Sequence, residues 1–301
     1  SAIKNSNYIP NNSARDLVRT KSDAVGLVVR GVSNPFYTDI IRAIERTITD
    51  AGFTMVMQQI GTCDDEVKCG AVMEREKRLQ GIVFLGGRFD YTPADLAMLN
   101  VPFVCCSYSN RYGTLIEGEY SSVSIADGDT AQQAVEELYR HGHRRIAALI
   151  SRPNDQSISQ LRYEGYVQAL ESHGIPVDPE LVISTGGFGA KDAYRAVQEK
   201  MAENVDFTAL FAIADSMAIG AMRALMDAGR RIPEDCSVIA IDGLELSAYI
   251  EPPLTTLCQP MEEMGRRSAE ILLDMVRHKG SHACELLPTT LRQGRSVAAP
   301  R

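Results

Sequence analysis

From Ala24 to near the end of the chain, short aliphatic runs alternate with longer stretches in which apolar residues return every three or four positions. That alternation predicts parallel sheets covered by helices on both faces, because strands buried on both sides read as continuous aliphatic runs. Val25–Val29 predicts a first strand, and a helix from about Pro35 gathers Ile40, Ile41, Ile44 and Ile48 on one face. Proline suits the first turn of a helix, where its missing N–H would be unpaired in any case. Phe53–Met57, Gly81–Leu85 and Pro102–Cys106 predict the next strands, with helices near Glu66–Leu79 and Pro93–Leu99 between them. The pattern then restarts. A helix is expected over Asp129–Arg140, a strand at Ile146–Ile150, a long helix through Leu161, Tyr166 and Leu170 that stops at Gly174, and a strand at Leu181–Ser184. Helices near Ala190–Met201, Met217–Ala228 and Met261–Val276 accompany strands Ala209–Ile213 and Ser237–Ile241. The reading is an α/β protein with two doubly wound parallel-sheet lobes.

Length agrees, since 301 residues is about twice a typical single domain. The 45% hydrophobic and 23% charged composition is that of an ordinary globular chain. No apolar run approaches the roughly 20 residues that span a bilayer, so no membrane partner is expected. The start, Ser1-Ala2-Ile3-Lys4-Asn5, has neither an initiator Met nor the apolar core of a secretory signal, and reads as a chain cut from a longer one.

Net charge of −8 argues against a broad nucleic-acid surface on the main body. The charge is uneven, however: before Ser22, Lys4, Arg15, Arg19 and Lys21 face one acid, Asp16. A basic arm precedes an acidic body. The seven cysteines, Cys63, Cys69, Cys105, Cys106, Cys236, Cys258 and Cys284, contain no C-x-x-C pair. They read as small buried apolar residues in a reducing cytoplasm, with redox sensing at Cys105 and Cys106 the alternative.

Two segments invite a chemical reading and decline it. Thr185–Asp192 is glycine-rich between a strand and a helix, but it has neither the G-x-x-x-x-G-K-[ST] nor the G-x-G-x-x-G spacing that arrays amides around phosphates, and instead presents Phe188 toward a cleft. His141-Gly142-His143 lacks further metal ligands at the usual spacing and reads as a helix end, with Gly142 in the left-handed cap. No G-x-S-x-G elbow and no acid/base set point to an enzyme, and no cofactor or metal is implied.

What stands out are single polar groups at expected strand C-termini, where open parallel sheets bind ligands: Asn34, Ser107, Asp215 and Asp242. Arg162 adds a cation on a helix, and Phe36, Tyr37 and Phe188 offer flat apolar faces. Carboxylates and a guanidinium take hydroxyl pairs, and aromatic rings cover the apolar face of a sugar or a base. Asp215 reads equally well as the N-cap of the helix over Met217–Ala228.

The chain resembles the LacI/GalR family of bacterial transcriptional regulators from about Tyr8 to Ser296. The motifs are Tyr8-x-Pro10-Asn11 with Ala14-Arg15-x-Leu17, Asn34-Pro35-Phe36-Tyr37, Gly142-His143-Arg144-Arg145-Ile146, Arg162-x-x-Gly165-Tyr166, Asp215-x-x-Ala218-Ile219-Gly220-Ala221, Ile232-Pro233-x-Asp235-x-Ser237-Val238-Ile239, Pro253-Leu254-Thr255-Thr256 and Arg295-Ser296. The resemblance implies a cytoplasmic, homodimeric repressor whose grip on operator DNA is set by a small effector. Residues 1–22 would be the remnant of a helix-turn-helix domain and its hinge, with Asn11, Ala14, Arg15, Leu17 and Arg19 on DNA and Leu17 as a minor-groove wedge. Residues 23–126 with 258–286 would form one lobe of a periplasmic-binding-protein-like module, and 127–257 with 287–301 the other. The chain would cross between lobes near Ala126, Cys258 and Leu287.

The same resemblance places the effector between the lobes, with Asn34, Phe36 and Tyr37 on one wall and Arg162, Phe188, Asp215 and Asp242 on the other. Ser107 stands where relatives often carry an acid, Ala214 where an Asn often precedes the Asp, and Ala126-Asp127 in place of a frequent Asp-Asn. A mono- or disaccharide is the expected effector, and a nucleobase or nucleoside the second. The alternative function is a periplasmic-type sugar-binding protein of an ABC transporter, which shares the architecture; the basic Tyr8–Arg19 arm speaks against it.

Overall fold

The computed structural model describes residues 22–31, 34–62, 64–116 and 118–301. The expected DNA contacts at Asn11, Ala14, Arg15, Leu17 and Arg19 lie outside the described residues.

The first sheet forms from β1 (Ala24–Arg30), β2 (Thr54–Ile60), β3 (Ile82–Leu85), β4 (Phe103–Cys106), β5 (Ser122–Ser124) and β11 (Cys284–Leu286), in the order β11-β5-β4-β3-β1-β2 with every neighbour parallel. The second takes β6 (Ile146–Ile150), β7 (Val182–Ser184), β8 (Ala209–Ala212), β9 (Ser237–Asp242), β10 (Thr255–Cys258) and β12 (Thr290–Arg292), in the order β12-β10-β9-β8-β6-β7. Only the β10 to β12 pairing there is antiparallel. The chain therefore passes from one sheet to the other after β5, returns after β10, and leaves again after β11.

Helix α1 (Tyr37–Asp50) turns Ile40, Ala43, Ile44 and Ile48 inward, as the apolar spacing predicts. It packs on α8 (Met261–His278), and Gly265 permits the approach, since a Cβ there would fall against the Ile40 carbonyl. The same device recurs in the second lobe. Helix α4 (Asp127–Arg140) meets α5 (Ile158–Ser172) at Gly165, which faces the Gly128 carbonyl. Helix α6 (Ala190–Ala202) meets α7 (Asp215–Asp227) at Gly220, against the Ala190 carbonyl. Among the described residues, α2 (Glu66–Lys77) and the single turn α3 (Pro93–Leu96) complete the set, and no helix is long and apolar enough to cross a membrane.

Several expectations need correction. Pro35 lies in the turn that leads into α1 rather than in the helix, because Thr38 and Tyr37 donate back to the carbonyls of Pro35 and Asn34 in a tight turn. α3 ends well short of Leu99, after a turn capped reciprocally by Thr92 and Asp95. α7 begins at Asp215 itself, with Ala214 at the cap position, so the capping role considered for Asp215 is excluded. Gly142 does adopt a left-handed φ of 101° just past α4, while the imidazole of His143 is buried between Thr208, Ser237 and the Ala298 carbonyl. Cys105, Cys106 and Cys236 are buried and burial pushes their thiols up, Cys106 and Cys236 to about 12, as befits packing residues.

Two contacts tie the lobes together. Leu244, which follows β9 of the second sheet, is buried in the core of the first lobe. Ile158 and Leu161 of α5 pack against the apolar cluster on the other face of the first sheet. Leu244 and α5 both follow the carboxyl ends of second-sheet strands, β9 and β6, so the first lobe is met on that side of the second sheet.

Candidate functional site

The site is built around Arg162. Ser157 caps α5, its hydroxyl accepting from the Ser159 N–H at 3.1 Å, and so fixes where the helix starts and where Arg162 points. The guanidinium is only 3% exposed. Its Nε donates to Asp127 Oδ1 at 2.9 Å, and its Nη1 donates both to the Ile213 carbonyl at 2.5 Å and to Asp242 Oδ1 at 3.2 Å. Asp127 opens α4, directly after the first crossing, and Asp242 ends β9. One cation thus joins three segments of the second lobe.

Asp242 is held in an unusual backbone conformation, with φ at 135°. L residues rarely adopt that region, and such strain persists where the surroundings over-determine it. The next residue, Gly243, has φ 82° and runs so close to Cys258 that a Cβ would collide with it. Gln259 donates its Nε2 to Asp242 Oδ1 at 2.8 Å. That leaves Asp242 Oδ2 and Gln259 Oε1 buried with no hydrogen-bond partner, two acceptors waiting for donors.

Charge follows the geometry. Burial raises the pKa of Asp127 and of Asp242, and Arg162 pulls both back. Burial alone would lower the pKa of Arg162, but the two carboxylates outweigh it and hold the guanidinium firmly protonated. Tyr37 faces this cluster from the first lobe: burial pushes its phenol up to about 12, the carboxylate of Asp242 adds to the rise, and Arg162 and Arg30 oppose it. Gly86, with φ 69°, makes room for that phenol, since a Cβ there would stand 2.6 Å from the Tyr37 oxygen.

The remaining expected residues divide. Asp215 is fully buried and both of its oxygens are taken: Oδ2 accepts from Leu244 N at 2.8 Å and Ser247 Oγ at 2.7 Å, and Oδ1 from Thr256 Oγ1 at 2.5 Å. It anchors the segment behind Asp242 rather than pointing a free oxygen outward. Asn34 Oδ1 accepts from the Phe36 N–H at 3.1 Å and so shapes the turn before α1. Phe36 is part of the first-lobe core, its ring 5.6 Å from that of Tyr37. Ser107 directly follows β4, in a left-handed conformation with φ 56°. Phe188 lies half-buried on the second-lobe core, its carbonyl held by the Ser216 hydroxyl at 2.8 Å.

Sequence reasoning missed Asp127 and Gln259 as members of the cluster. Asp127 carried a signal, as a departure from the family pattern at the first crossing. Gln259 carried none, because its role exists only when β10 is laid beside β9.

Known proteins share the fold and the family pattern of this chain. Residues 135–297 match the family model for a periplasmic binding protein-like domain. The chain is 37% identical to the HTH-type transcriptional regulator MalR of Clostridium butyricum, over 96% of this chain and 86% of that protein. Among solved structures it is similar to a transcriptional regulator CelR–cellobiose complex, with TM-score 0.81, 29% identity and coverage of 98% of this chain and 94% of that one. It is also similar to the lac repressor dimer bound to operator and the anti-inducer ONPF, with TM-score 0.81, 25% identity and coverage of 97% and 100%.

Proposed function

This chain belongs to the LacI family of HTH-type transcriptional regulators, and we propose that it is a repressor whose operator affinity is set by a small carbohydrate bound between its two lobes. The observation that carries this reading is the buried Arg162 bridge between Asp127 and Asp242, with unpartnered acceptors on Asp242 and Gln259 and the Tyr37 phenol across from them. Sugar hydroxyls supply the missing donors, and the phenol ring covers an apolar sugar face. The related CelR was solved with cellobiose.

Lobe 23–126 with 258–286 and lobe 127–257 with 287–301 close on the effector. Only a ligand that binds the closed form more tightly shifts the balance, and by linkage the operator must then change effector affinity to the same degree. The protein acts as a cytoplasmic homodimer, matching a palindromic operator, with Asn11, Ala14, Arg15, Leu17 and Arg19 on the DNA side. Leu246 and Tyr249, exposed large apolar residues just past β9, suit a subunit contact. The site binds and does not catalyse.

A thermal-shift series with mono- and disaccharides, nucleosides and purines tests the reading. A ligand at 100 times its Kd stabilises by about 2.7 kcal/mol. The shift is expected with a saccharide, and is expected to shrink in Tyr37→Phe and vanish in Arg162→Lys. A saccharide shift that persists unchanged in both variants would place the site elsewhere.

A further inference from the structure

A second group of unpaired polar atoms lies at the carboxyl edge of the first sheet. Glu66 begins α2 fully buried. Its Oε1 accepts from the Arg88 N–H at 2.7 Å, while its Oε2 has no hydrogen-bond partner and sits 3.6 Å from Arg30 Nε, which has none either. Tyr91 is 2% exposed and its hydroxyl is likewise unpartnered.

Gly87 draws Glu66 and Tyr91 together. A Cβ at that position would stand 2.9 Å from Glu66 Oε1 and 3.4 Å from the Tyr91 oxygen, so only glycine leaves the notch open. The preceding residue, Gly86, lies between the two groups: a Cβ there would stand 2.6 Å from the Tyr37 oxygen and 3.4 Å from the Arg30 carbonyl. The notch therefore adjoins the first-lobe wall that carries Tyr37. None of Arg30, Glu66 and Tyr91 belongs to the motifs that carry the family resemblance.

Arg30 and Glu66 balance each other's charge at 3.6 Å without a hydrogen bond, so three buried hydrogen-bonding atoms at one sheet edge stay open to a ligand. The inventory names its chemistry. Glu66 Oε2 needs a donor, Arg30 Nε an acceptor, and the Tyr91 hydroxyl takes either. Hydroxyl groups do both. A phosphate would bring only acceptor oxygens against the Glu66 carboxyl. The opposite wall has the same composition, an acid, an arginine and a neutral partner in Asp242, Arg162 and Gln259.

We propose that Arg30, Glu66 and Tyr91 form a second hydroxyl-binding subsite, and that the effector is an uncharged disaccharide with one ring on each wall and Tyr37 between them. This rests on the effector reading above and adds its size and charge.

Calorimetric titration of the whole chain with glucose, maltose, cellobiose and cellobiose 6′-phosphate tests it. One neutral disaccharide is expected to bind at least about 10-fold tighter than glucose and than the phosphorylated sugar. Tyr91→Phe is expected to weaken that disaccharide about 5- to 10-fold, the effect of one lost hydrogen bond, while the unfolding midpoint stays put because the hydroxyl has no protein partner. Glu66→Gln, nearly isosteric, gives the same loss by a second route. Unchanged disaccharide affinity in both variants, or glucose binding as tightly as the disaccharides, overturns the subsite. If those results come with abolished binding in Arg162→Lys, the cleft stands and only the notch falls. No binding of any of the four sugars contradicts both.

Discussion

Tyr112, in the loop after β4 of the first lobe, donates its hydroxyl to Glu164 Oε1 on α5 of the second at 3.1 Å, two residues along the helix from Arg162. Gln160 steadies the same oxygen at 3.3 Å, and Leu161 packs against the first-lobe aromatic cluster beside it. The helix that carries the central arginine is thus held by the opposite lobe.

This contact bridges the two lobes, so Tyr112→Phe is expected to favour a more open arrangement of them. Its cost is that of a single hydrogen bond to a charged acceptor, about 1.5 kcal/mol or somewhat more if fully realised. Effector affinity is expected to fall roughly 5- to 10-fold, with a larger radius of gyration in small-angle scattering of the free protein. Unaltered affinity and scattering would show that the contact carries no closure energy.

Arg162 is also structural. Removing it leaves Asp127 and Asp242 buried without their counter-charge, a loss that typically costs about 3–5 kcal/mol. Both carboxyls are already raised by burial, and Arg162→Ala removes the group that pulls them down. A raised folded pKa means that the native state holds more protons than the unfolded chain, so the stability of this variant should decline as pH rises from about 5 to 8. Denaturant melts at several pH values read that slope. A slope equal to that of the parent chain would argue that the carboxyls find other partners.

His143 titrates in the opposite sense. Burial lowers its pKa, and the neutral ring is fixed by the Thr208 hydroxyl at 3.0 Å and the Ala298 carbonyl at 2.8 Å. Below the unfolded value of about 6.5 the unfolded chain takes up the proton first, so stability falls as pH drops through 6.5. His143→Gln should flatten that part of the curve, leaving the contribution of His282, which burial also lowers. The readout is the slope between pH 7 and 5.5, so an overall loss of stability does not obscure it.

Gly165 presents a purely steric test. A methyl group there meets the Gly128 carbonyl and the Ala131 side chain where α4 and α5 touch. Gly165→Ala gains a little helix propensity but forces the pair apart, and overpacking of this kind costs about 1–3 kcal/mol or more. Because α4 carries Asp127 and α5 carries Arg162, effector binding should weaken along with stability. A more stable variant would contradict the close packing.

Much of this architecture is legible in the sequence, for definite reasons. Strands such as Ile146–Ile150 and Ala209–Ala212 are buried on both faces and so are written as aliphatic runs. The pieces that complete the sheets, Ser122–Ser124, Thr255–Cys258, Cys284–Leu286 and Thr290–Arg292, are short and polar, and pairing with distant strands rather than local pattern makes them strands. The site divides in the same way. Arg162 and Asp242 stand out as charges placed beside helix and strand signals, but the bonds that unite the cluster span 35 residues to Asp127 and 80 to Asp242. Asp215 shows the limit: its position at a helix start suggests a cap, whereas its oxygens are claimed by Leu244, Ser247 and Thr256, which only the folded sheet brings near.

One small molecule is expected to engage both lobes at once. Hydrogen–deuterium exchange of the whole chain, with and without the saccharide that gives the largest thermal shift, measures this directly, because backbone protection reports local opening segment by segment. Protection is expected together in the segment around Tyr37, in α5 around Arg162, and in the stretch from Asp242 to Gln259. Protection confined to one lobe, or found away from all three segments, would contradict it.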